Sequence, residues 1–87
     1  MPYTLLLSDP LAEKLDNKQE PQRRAIRECF KKLRQNPRYP GLRTKKMQGR
    51  GGLVFESRAS KGDRVTWFWD GSRIIIENHC KHDIVES

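Results

Sequence analysis

The chain has 87 residues, 34% of them hydrophobic, and a formal net charge of +7. This length holds one domain with a thin core, residues 1–87, and leaves no room for a second domain. The basic surplus favours an anionic partner, with nucleic acid the first candidate and an acidic protein segment the second.

Pro2–Leu7 reads as a short strand, too apolar for an exposed edge, that joins the later sheet as a neighbour. Leu5–Leu7 is far too short for a secretory core, and no membrane-spanning run follows. Ser8-Asp9-Pro10 is a helix start, with Asp9 as cap and Pro10 in the first turn, where its missing N–H costs nothing. Leu11 and Leu15 give this helix its apolar side. Asn17–Glu20 has the spacing of a capping box, and Pro21 equally suits the start of a second helix running to about Gln35. Ile26, Cys29, Phe30 and Leu33 form its apolar stripe, while Arg23, Arg27, Lys31 and Arg34 line another face and read as an ordinary solvated surface. Asn36-Pro37 ends the helix.

Residues 37–52 read as a loop with a short extended piece at Leu42–Met47. From residue 21 to residue 50 only Glu28 opposes a long series of basic side chains, so the positive field is localised. Arg43, Lys45 and Lys46 lead into the polar face of the strands that follow and are candidate phosphate contacts.

Leu53–Ile84 then reads as a three-stranded antiparallel meander. Its strands are Leu53–Arg58, Arg64–Trp69 and Arg73–His79, joined by Ser60–Asp63 and by Asp70-Gly71-Ser72, the strongest short hairpin signal in the chain. Strand alternation puts Val65, Trp67 and Trp69 on one face, as core under the helices, and Arg64, Thr66 and Phe68 on the other. Glu56 shares a face with Arg58, and Glu77 with His79. Ile84 and Val85 suggest a tail folded back on the sheet. The two cysteines suggest no disulfide framework, and His79, Cys80 and His82 lack the second ligand pair of a zinc site. No metal or other cofactor is expected, and the expected compartment is the reduced cytoplasm.

The order of these elements, with Phe55-Glu56-Ser57-Arg58, Arg64-Val65 and the closing Lys81-His82-Asp83, resembles the RelE/ParE superfamily of bacterial toxins over essentially the whole chain. The resemblance implies an α+β, βααβββ fold, with a helix hairpin on one face of a small, twisted, mainly antiparallel sheet. It also implies a type II toxin held inactive by a cognate antitoxin. Many such toxins cleave mRNA on the ribosome, in the A site; others of the same fold poison DNA gyrase, and a non-catalytic antitoxin-binding member is a further alternative.

By this resemblance Arg64 matches the arginine that contacts the scissile phosphate. Lys45 and Lys46 fall where basic residues precede the second strand of that fold, and His82 falls at a C-terminal acid or charge stabiliser. Two departures from the pattern stand out. Val54 and Glu56 stand where nucleases often carry lysines, and no tyrosine follows His82. Cleavage by 2′-OH attack needs a base, a cationic clamp and an acid, but no metal. Glu56 or a histidine is the candidate base, Arg64, Arg58 and Lys46 the clamp, and His82 the acid, with Lys45, Arg43 and His79 as further phosphate contacts. The competing role for Glu56 is a cross-strand pair with Arg58 or Arg64; for His79 it is to cap the end of its strand.

Overall fold

The computed structural model describes residues 3–49 and 52–81. In chain order it contains β1 (Thr4–Leu7), α1 (Asp9–Asp16), α2 (Glu20–Gln35), a 3-10 turn (Pro40–Leu42), β2 (Lys45–Gly49), β3 (Gly52–Ser60), β4 (Asp63–Asp70) and β5 (Arg73–Lys81). One five-stranded sheet runs in the order β1-β5-β4-β3-β2. β1 lies parallel to β5, and every other pairing is antiparallel. The expected α+β arrangement of a helix hairpin on a mainly antiparallel sheet is present. It carries one strand more than expected, because the extended piece between the helices and the meander is β2, hydrogen-bonded to β3.

The helices form where their apolar spacing places them, with caps that differ from expectation. Ser8, not Asp9, caps α1: its Oγ accepts from the Leu11 N–H at 3.3 Å, and Asp9 occupies the first turn. No capping box forms on α2, whose N-cap is Gln19 with no side-chain bond. Leu11, Leu15, Ile26, Cys29 and Leu33 are buried against Leu42, Val65, Trp67, Ile74 and Ile76. Burial pushes the Cys29 thiol up to about 12, against a smaller opposing pull from Lys32. Because the thiolate is the reactive form, Cys29 is expected to resist alkylation at pH 8 in the native chain and to label rapidly in denaturant, as peptide mapping would show.

A bulge in β5 decides which side chains reach the core. Thr66 pairs with Asn78, but Trp67 pairs with Ile76, leaving Glu77 as the extra residue. The bulge shifts the alternation by one position. Ile74 and Ile76 face inward before it and His79 faces inward after it, while Glu77 and Asn78 are exposed. Glu77 and His79 therefore do not share a face. At the other end of the hairpin, Gly71 takes φ 65 as the first of two loop residues between Asp70 and Arg73. That conformation requires glycine or its equivalent.

Candidate nucleic-acid interface

Among the described residues the helices cover one face of the sheet and leave the other open. Two polar rows cross it near the β3–β4 turn. In the first, Lys45 lies opposite Glu56, Glu56 opposite Thr66, and Thr66 opposite Asn78. In the next, Arg58 lies opposite Arg64, and Arg64 opposite Cys80. Arg58 and Arg64 lie two residues from Glu56 and Thr66 on their own strands, and the register sets Lys45, Asn78 and Cys80 opposite them. Beyond them the face turns apolar through Met47, Val54, Phe68, Ile75 and Leu6.

Arg64 is half-buried on this open face, as alternation predicts. Its Nη1 donates to the backbone carbonyls of Ser60 at 3.0 Å, Lys61 at 3.3 Å and Asp63 at 3.3 Å. The guanidinium is thereby anchored to the β3–β4 turn, and Nε and Nη2 make no hydrogen bond among the described residues. Neither Arg64 nor Arg58 meets a carboxylate among those residues. Glu56 instead pairs across the β2–β3 ladder with Lys45, at 3.6 Å. Arg58 also borders a groove against α2, near Glu28 and Lys32, where β3 runs past the end of β2.

Three of the expected site positions change. Lys45 and Lys46 belong to a strand, not a loop, so they point to opposite faces. Lys45 stays with Glu56, and Lys46 lies opposite Phe55 on the helix side. His79 leaves the set of phosphate contacts: it is 3% exposed and buried on the helix side. His82 and the expected folded-back tail lie outside the described residues.

His79 instead joins a buried cluster. Its Nε2–H donates to Asp63 Oδ1 at 2.8 Å. Gln22 Nε2 of α2 donates to the same oxygen at 3.0 Å, and Ser60 Oγ donates to Oδ2 at 2.7 Å. Burial alone would raise the Asp63 carboxyl, but the hydrogen bonds from Ser60, His79 and Gln22 together hold it below the ordinary carboxylate value. A carboxyl lowered on folding stabilises the native state above its unfolded value, about 3.9, and loses that contribution as pH falls through the folded value. Asp63→Asn is expected to flatten the acid limb of stability below about pH 4, measured as urea midpoint against pH.

On the helix side, past the end of α2, lies a cleft of about 600 Å³. Its floor is aromatic. Phe55 stacks on Trp67 with centroids 4.7 Å apart, Trp69 meets Trp67 edge-on at 5.3 Å, and Tyr3 meets Trp69 edge-on at 5.1 Å. Its walls carry Arg38, Arg43, Lys45 and Lys46, and no acidic side chain among the described residues lines it. Arg43 holds a left-handed conformation, φ 49, at the end of the 3-10 turn. A one-way chain of hydroxyls fixes the near wall to the sheet. Thr44 Oγ1–H donates to Pro37 O at 2.9 Å, so Ser57 donates to Thr44 at 2.7 Å, and Trp67 Nε1–H donates to Ser57 at 2.9 Å. Every buried polar atom in that chain has a partner.

Neither a family model nor a curated protein matches the sequence. Solved structures do match in shape. A chain of the archaeal RelE–RelB complex from Pyrococcus horikoshii superposes with TM-score 0.78 at 18% identity, covering 97% of this chain and 99% of that one. A chain of the RelBE2 toxin–antitoxin complex from Mycobacterium tuberculosis gives 0.73 at 20% identity, covering 95% and 100%. The Staphylococcus aureus YoeB dimer gives 0.71 at 17% identity, covering 95% and 99%. The chain has the RelE-like fold.

Within the RelE-like fold, the open sheet face holds Arg64, Arg58, Glu56 and Lys45, while Arg43 and Lys46 belong to the cleft. Trp69 was expected in the core together with Trp67. It shares that face but is 38% exposed, because the helices stop short of the end of β4. The signals that could have marked this end are the early helix stop at Asn36-Pro37 and the position of Trp69 one residue before the hairpin. The roles of Ser57 and Asp63 as buried hubs carry no signal in the linear sequence.

Proposed function

We propose that this protein is the toxin of a type II toxin–antitoxin system and acts as a ribosome-dependent mRNA endoribonuclease. The carrying observation is the juxtaposition of Arg58 and Arg64 beside the Lys45–Glu56 pair, on the sheet face that the helices leave open. The RelE-like fold and its occurrence in toxin–antitoxin complexes support a cognate antitoxin as partner.

In this reading Glu56 removes the proton from the ribose 2′-OH, whose oxygen attacks the adjacent phosphorus. The Arg64 guanidinium, held by turn carbonyls through Nη1, presents its other nitrogens to the developing phosphorane charge, and Arg58 adds to that field. His82 protonates the departing 5′-oxygen; at neutral pH a histidine supplies both protonation states. The products are a 2′,3′-cyclic phosphate and a 5′-hydroxyl. The cytoplasm is the compartment where such a target lies.

A second reading, of a gyrase-directed or binding-only protein, is favoured by one observation. The carboxylate of Glu56 offsets Lys45 at a position where a nuclease of this resemblance carries lysine. Induced expression followed by mapping of transcript ends separates the readings. New 2′,3′-cyclic phosphate ends support the nuclease; intact transcripts with double-strand DNA breaks support a gyrase target; neither outcome, with antitoxin binding retained, supports a binding-only protein.

A further inference from the structure

The cleft behind the sheet is not required by the proposed chemistry, yet its lining sets aromatic rings among cations. Trp67, at 1% exposure, gives it a fixed floor, whereas Trp69, at 38%, offers ring surface at its side. Around these rings stand Arg38, Arg43, Lys45 and Lys46, and among the described residues no acid lines the cleft to neutralise them. An aromatic platform inside a cationic rim suits a planar base joined to a phosphate, because stacking holds any base and the cations follow the backbone. A fully apolar anchor would need no such rim. An acidic peptide would satisfy the cations but leave the ring faces without a planar partner.

Lys45 sits at the turning point: it pairs with Glu56 of the open face and also lines the cleft, on the edge strand β2. A strand crossing the Arg58–Arg64 rows therefore has a continuous cationic route around that edge.

We infer that the cleft is a second single-stranded RNA subsite, in which a base several nucleotides along the strand from the cleaved phosphate stacks against Trp69 while the neighbouring phosphates meet Arg38, Arg43 and Lys46. This inference rests on the nuclease reading for the identity of its ligand, but its test does not depend on cleavage.

The full chain is titrated with a fluorescently labelled 2′-O-methyl hexa-adenylate, which cannot be cleaved by 2′-OH attack, and read by anisotropy and by tryptophan quenching. Quenching of the exposed indole is expected. Trp69→Leu should weaken binding about tenfold or more. Trp69→Phe, which keeps a ring and guards against a folding defect, should weaken it less. Arg38→Ala with Arg43→Ala should lower the slope of log affinity against log salt by about 1.4. An affinity unchanged in Trp69→Leu overturns the subsite, as does equal quenching and full competition by a glutamate hexapeptide, which would give the cleft to an acidic protein segment. RNA binding through Trp69 in a chain that never cleaves on ribosomes keeps the subsite and removes the nuclease reading. Cleavage with no Trp69 dependence of binding does the reverse.

Discussion

Arg64→Ala is expected to abolish growth arrest on induction and to reduce transcript cleavage by about 100- to 1,000-fold, the usual consequence of removing one preorganised donor from a charged transition state. The chain should remain folded. Arg64 lies on the open face and contributes its Nη1 bonds to three turn carbonyls, which water can replace in part. Arg64→Lys sharpens the measurement. It keeps the charge but loses the planar fork that fills the turn and addresses a phosphate at once. A large residual defect in Arg64→Lys, with an unchanged melting temperature, assigns the role to geometry. Wild-type cleavage by Arg64→Ala would remove Arg64 from the mechanism.

Trp67→Ala should be the most destabilising single change in the sheet, by about 3–5 kcal/mol, out of a total of about 5–15 kcal/mol for a domain of this kind. The residue is 1% exposed, stacks on Phe55, and anchors the hydroxyl chain through Ser57 and Thr44 to Pro37. Its removal empties the middle of the core and loosens the wall of the cleft together. Trp67→Phe keeps an aromatic ring but loses three ring atoms and the N–H bond. It should cost about 2 kcal/mol, less than the alanine change, and lower the melting temperature accordingly. Ser57→Ala separates the two contributions, since it leaves the indole N–H buried without an acceptor. Urea denaturation of the three variants measures all of this directly.

Periodicity placed α2 correctly because Ile26, Cys29 and Leu33 repeat at helical spacing, and Asn36-Pro37 ended it. Alternation placed Arg64 and Trp67 on opposite faces because β4 runs without interruption. It failed for His79, since a single extra residue at Glu77 reverses the faces and leaves no mark in composition. It failed for Lys45 and Lys46 because a basic pair beside prolines and glycines reads as loop until a partner strand pairs with it. The Asp63–His79–Gln22 cluster joins three elements far apart along the chain, and only the packed structure brings them together. The Glu56 partner was misplaced for a similar reason: without β2, the only cations within reach were those of the β3–β4 hairpin.

The parallel pairing of β1 with β5 has a consequence for how the molecule is made. Among the described residues Thr4–Leu7 pairs with Arg73–Ile76, so nearly the whole length of polypeptide separates the two halves of that ladder. Such distant closure slows folding. During synthesis the helices and the first strand wait, with apolar flanks open, until the final hairpin emerges. The nascent polypeptide therefore exposes apolar surface for most of its elongation, and a companion that shields those flanks would act before the sheet is complete.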